Sequence, residues 1–135
     1  MQWPQITAAY LAVLALIYAA LAINVVRLRQ QNHAAFGDGG SPALRSAIRA
    51  HAHFAEYVPV ITLMVAMLEM SGVVAWRVHI LMAALLISRL AHPIGMYAKP
   101  GTMAFRIGRV GGMTLTIILL ITCAVAVLSR VWRGA

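Results

Sequence analysis

Four long runs of apolar residues divide the chain, with the polar residues collected between them. A helix needs roughly 20 mostly apolar residues to cross the hydrocarbon core of a bilayer. The runs at about residues 5–26, 43–71, 74–97 and 105–131 meet that length and predict four transmembrane helices. Pro4 suits the first turn of the first helix, Trp3 suits the membrane interface, and Arg27 and Arg29 end the apolar stretch. The stretch "QQNHAAFGDGGSPAL" predicts a flexible loop, and Ser41 with Pro42 marks the start of the second helix. In "AKPGT", Pro100 and Gly101 act as breakers between the third and fourth. The expected architecture is an all-α, integral membrane four-helix bundle, up-and-down, in one domain over residues 1–135.

Composition agrees with this pattern. The chain of 135 residues is 62% hydrophobic and 10% charged, with a mean hydropathy of +0.85, which excludes an ordinary water-soluble domain. The first stretch lacks a basic leader and its apolar part is long for a secretory signal, so it reads as a retained span. Cys123 is the only cysteine, which rules out a disulfide framework and a thiol-based metal site.

A net charge of +8 raises the question of nucleic acid. The basic residues lie at span ends without an aromatic-laced basic face, so no nucleic-acid partner is expected. Arg27, Arg29, Arg45, Arg49, Arg89, Lys99, Arg106 and Arg109 fall on the side of the first and third connections, and Arg77, Arg130 and Arg133 on the other. Positive residues favour the cytoplasmic side, which predicts cytoplasmic first and third connections, with membrane lipids as partners. The expected setting is a bacterial inner membrane.

The second helix carries the candidate chemistry, in "RAHAHFAEYVPV". At about 100° per residue, Arg45, Arg49, His53, Glu56 and Tyr57 form one stripe. Charge inside a bilayer is costly, so Glu56, one of only 3 acidic residues, is expected to point into the bundle. It would either pair with an arginine, joining helices, or form part of a site for an anionic ligand. Arg49, Arg89, Arg106 and Arg109 outnumber it, which favours the ligand. Pro59 is expected to bend the helix and widen a cavity beside the stripe. His51, His53, His79 and His92 lack the spacing of a helical zinc site, so no metal is expected, and His79 and His92 suit hydrogen bonds between helices. Gly108, Gly111, Gly112 and Thr114 suit close helix packing.

"RAHAHFAEYVP" resembles the second-helix signature of the MAPEG superfamily, the membrane-associated proteins of eicosanoid and glutathione metabolism. "VAWRVH" and "SRLAHPIGMY" resemble third-helix segments of its microsomal glutathione transferases and membrane prostaglandin E synthases. The resemblance implies a homotrimer with glutathione, a cosubstrate, bound between subunits. Arg49 and Glu56 would hold its charges, Tyr57 would line the site, and His53, Arg89, His92 and Tyr97 would complete it. Arg106, or else Arg109, would be the catalytic arginine that stabilises the thiolate. His53 stands where the family usually has Asn, and Met96 stands where it has a tyrosine, with Tyr97 one place later. The implied activity is that of a glutathione-dependent transferase or peroxidase acting on hydrophobic electrophiles. The alternative is a non-catalytic relative that binds a lipid or partner. A small multidrug exporter fits less well, because the first span carries no charged residue.

Overall fold

The computed structural model describes residues 3–99 and 101–134, so the expected breaker Pro100 lies outside the described residues. Four long helices account for the chain: α1 (Gln5–Gln31), α2 (Pro42–Met70), α3 (Ala75–Tyr97) and α4 (Gly112–Gly134), the last preceded directly by a π-helical stretch, Phe105–Gly111. All four are long and apolar enough to cross a membrane. No strand occurs among the described residues.

The helix outlasts the apolar run: α1 continues past Arg27 and Arg29 to Gln31. Arg and Gln are good helix formers, so the apolar run stops while the backbone hydrogen bonding goes on. Arg29 then donates to the carbonyls of Ala34, Ala35 and Gly37, which shapes the first connection. Asp38 pairs with Arg45, and the Ser41 hydroxyl accepts from the Leu44 amide to start α2.

α1 packs on α2 and α3, and α4 packs on the same two helices from the other side. Leu14, Phe54, Ile61, Val65, Met82, Leu85 and Leu119 fill the space between them. The start of α1 is fastened by Glu69, near the end of α2. Its carboxylate accepts the amides of Ile6 and Thr7, each at 2.9 Å, and the Thr7 hydroxyl at 2.6 Å. These amides have no partner within α1, and a negative charge at a helix N-terminus is favourable.

α3 and the fourth span meet with little between their backbones. Gly95 faces Gly108 and Arg109, while Gly112 lies against Ser88 and His92. Glycines spaced four apart line one face of a helix and let backbones approach, which is the close packing expected of Gly108 and Gly112. Gly111 is exposed and takes no part in it.

Candidate functional site

The stripe on α2 divides in two. His53 turns toward α3, where its Nδ1 lies 3.0 Å from Nε2 of His92, the rings stacked at 5.0 Å and 28°. Tyr57, one turn on, meets the edge of His53 at 6.3 Å between ring centroids. Arg49 and Glu56 are exposed on the outer surface of the single subunit. Glu56 thus does not point into the bundle as expected. The reason is geometric: the inward arc of α2 is taken by Ala50, Phe54, Val58 and Ile61.

Glu56 also stands apart from the other two carboxylates. Asp38 is held by Arg45 and Glu69 by the start of α1, whereas Glu56 bonds to no described residue. The hydrogen bond from Arg45 is also the main reason that the Asp38 carboxyl sits below its usual range. Because Asp38 draws Arg45 into the loop, the stripe loses one of its expected cations. An ion pair between Glu56 and an arginine does not form among the described residues.

Arg89 is the group that goes inward, at 1% exposure. It donates to the His53 carbonyl at 3.2 Å, to the Ser88 hydroxyl at 3.3 Å and to the Thr116 hydroxyl. A buried guanidinium is tolerated only when its donors find acceptors. Here they tie α2, α3 and α4 together at one level. Thr116 in turn donates to the Gly112 carbonyl at 2.7 Å.

Arg106 and Arg109 are both exposed in the π-helical stretch. Three residues apart, they would diverge by about 60° on an α-helix. The wider turn made by i→i+5 bonding opens that angle further. Arg109 lies over the Phe105 ring at 5.4 Å, and its backbone packs against Gly95 of α3. Tyr97 is not brought to this cluster: its hydroxyl accepts from the Asn24 amide of α1 at 3.0 Å. Pro59 lines a groove of about 550 Å³ between α1 and α2, with Leu11, Tyr18, Phe54 and Leu63. The groove is apolar and lies away from the stripe, so the cavity expected beside the charged residues is on the other flank of the helix.

The sequence profile of the MAPEG family matches residues 7–129. The chain belongs to the MAPEG family. It is 37% identical over 127 residues to "Inner membrane protein YecN" of Escherichia coli strain K12, covering 94% of this chain and 91% of that one. The same protein from Escherichia coli O6:H1 strain CFT073 matches to the same extent. No solved structure matches the chain.

Within this MAPEG protein, the cluster joins His53, Tyr57, Arg89 and His92, with Arg109 alongside, and leaves Arg49 and Glu56 on the outer face. Ser88 and Thr116, the hydroxyl partners of Arg89, escaped the sequence reading. The available signal was their position: a hydroxyl in mid-span that needs a partner, and an arginine in the third span that needs several.

Proposed function

We propose that the protein is a glutathione-dependent transferase or peroxidase of a bacterial inner membrane, acting on hydrophobic electrophiles. The observation that carries this reading is the outer face of α2, where Arg49 and Glu56 lie exposed and unpaired within a candidate membrane span. Charged groups left facing lipid are costly, so this face calls for a second subunit, a ligand or both. Glutathione supplies both signs, carboxylates for the arginines and an ammonium for Glu56. A homotrimer, as the family resemblance implies, would seat it between subunits. First and third connections would face the cytoplasm, consistent with the eight basic residues on that side.

In this mechanism the protein does little covalent chemistry. Arg49 and Glu56 orient the peptide, an arginine of the fourth span holds the sulfur as thiolate, and the electrophile arrives through the lipid. Arg109 is favoured over Arg106 for the sulfur because its backbone packs against α3 at Gly95, one turn beyond His92. The apolar groove between α1 and α2 keeps the lipid-binding alternative open as a second reading.

A ligand that binds only the folded state must raise its stability, by about 2.7 kcal/mol at a hundred times the dissociation constant. Thermal unfolding of the purified protein should therefore shift upward with glutathione, and less in Arg49→Ala. A shift with phospholipid and none with glutathione would favour the second reading.

A further inference from the structure

Two cavities of opposite character share Trp3. The apolar groove between α1 and α2 extends from Trp3 and Pro4 past Leu11 and Ala15 to Tyr18. From Pro4 to Tyr18 the helix rises about 21 Å, at 1.5 Å per residue. One leaflet of a bilayer contributes about 15 Å of hydrocarbon, so a single acyl chain fits along the groove. The second pocket, of about 320 Å³, is mainly polar and is lined by Trp3, Gln5, Ile6, Glu69 and Gly72. It sits where α1 begins and α2 ends, at the far end of α2 from Arg49.

Glu69 is the only charged residue lining this pocket. Its two oxygens offer about four lone-pair positions. The Ile6 amide takes one on Oε1, and the Thr7 amide and hydroxyl take two on Oε2, so one on Oε1 remains. All three donors are neutral, and the start of α1 offsets about half a unit of charge. The one ion pair among the described residues lies elsewhere, between Asp38 and Arg45. His79 of α3 turns to the Tyr10 hydroxyl at 3.4 Å, not to the carboxylate. About half a negative charge is thus left without a partner in a candidate membrane span, where such charge is costly. The Trp3 indole borders the same pocket, and an indole face attracts cations.

We infer that groove and pocket together hold one membrane phospholipid: its tail lies along α1 and α2, and a headgroup ending in a primary ammonium donates to the free position on Oε1 of Glu69, beside the Trp3 indole. A headgroup with negative charge alone is repelled by the carboxylate, and a trimethylammonium has no N–H to donate. This site is separate from the arginine face of α2 and stands whether or not glutathione binds.

Native mass spectrometry reads the lipid retained by protein taken from nanodiscs that hold equal amounts of phosphatidylethanolamine, phosphatidylglycerol and phosphatidylcholine with matched tails. Phosphatidylethanolamine should be retained about tenfold over phosphatidylglycerol, the lower end of what a hydrogen bond to a charged group is worth. Phosphatidylcholine should fall between them. Equal retention of all three overturns the inference.

Two variants then separate head from tail. Glu69→Gln should remove the preference among headgroups, and a preference that survives it refutes the assignment. Ala15→Phe fills the groove and leaves Glu69 in place, so it should reduce retention of all three lipids. Unchanged retention there would also refute it. Should Glu69→Gln fail to fold, the headgroup preference of the unaltered protein and the Ala15→Phe result still decide. An oligomer that carries no lipid, and whose subunit number changes in Ala15→Phe, would mean that a second copy fills the groove, and the inference fails.

Discussion

Replacing Gly95 by alanine tests the contact on which the candidate site is built. An added Cβ would meet the carbonyl carbon of Gly108 at 2.5 Å and its Cα at 2.8 Å, and would also collide with the Arg109 amide. Ordinary contacts of this kind lie near 3.5 to 4.0 Å, so the two backbones must separate by about 1 Å. Overpacking of a well-packed interior costs about 1–3 kcal/mol. Against it stands the gain of about 1 kcal/mol when alanine replaces glycine within a helix. Because the clash is with backbone atoms that cannot rotate away, the cost lies at the upper end of that range, and a net destabilisation of about 2 kcal/mol follows. The other glycines of the fourth span supply a graded comparison. At Gly112 the nearest atom to an added Cβ is the Ser88 carbonyl oxygen at 3.2 Å, so Gly112→Ala should cost little. At Gly111 it is the Arg106 carbonyl oxygen at 3.7 Å, an ordinary contact, so Gly111→Ala should stabilise slightly. Reversible unfolding in mixed detergent micelles, followed by circular dichroism, measures all three. The rank order Gly95 below Gly112 below Gly111 is expected, and a Gly95→Ala protein as stable as the parent would refute the close approach of α3 and the fourth span.

Other consequences follow from single contacts. Thr116→Val removes the hydroxyl that accepts from buried Arg89 and should lower stability by about 1–3 kcal/mol in the same unfolding assay, with Ser88→Ala costing less. Glu69→Gln keeps the size of the side chain but removes the charge at the start of α1; a loss of about 1 kcal/mol, with faster amide exchange at Ile6 and Thr7, is expected. Asp38 has a lowered pKa when folded, so its contribution is present above the ordinary carboxylate range and is lost as pH falls through the folded value. Protection of the Gly40 amide against exchange should accordingly fall below about pH 4, and Asp38→Asn should remove that acid dependence with a small loss of stability at neutral pH. For orientation, Phe36→Cys and Trp132→Cys in a Cys123→Ser background should label from opposite sides of the membrane, Phe36 from the cytoplasm; both positions are freely exposed.

The spans were legible because continuous apolar runs of this length have one stable home, and because Ser41 with Pro42 marks the start of α2 by local chemistry. Orientation within the bundle was not. In lipid an outward face is as apolar as an inward one, so the pattern around α2 does not say which side of Glu56 meets protein. Arg89 shows the same difficulty from the other direction: its acceptors lie on three different helices, and no spacing along the chain announces the His53 carbonyl or the Thr116 hydroxyl. The π-helical stretch was invisible too, since Phe105–Gly111 has no sequence mark distinguishing it from the α-helix that continues it. What the sequence did carry was the set of groups. His53 and Tyr57 were named from their spacing on α2, Arg89 and His92 joined them through the family resemblance, and three-dimensional packing decided which of them meet.

The central claim is that an arginine of the fourth span holds the sulfur of bound glutathione as a thiolate. A free thiol has a pKa of about 8.5, so half ionisation at pH 7 requires about 1.5 units of preferential stabilisation, roughly 2 kcal/mol, which one guanidinium in a partly dehydrated site can supply. The direct measurement is the ultraviolet difference spectrum of saturating glutathione bound to the protein at pH 7, compared with Arg109→Leu and Arg106→Leu. The account predicts a thiolate band of about half the full intensity in the parent, lost in Arg109→Leu and retained in Arg106→Leu, with glutathione still bound in both. Glutathione that binds to the parent protein without a thiolate band at neutral pH would contradict it.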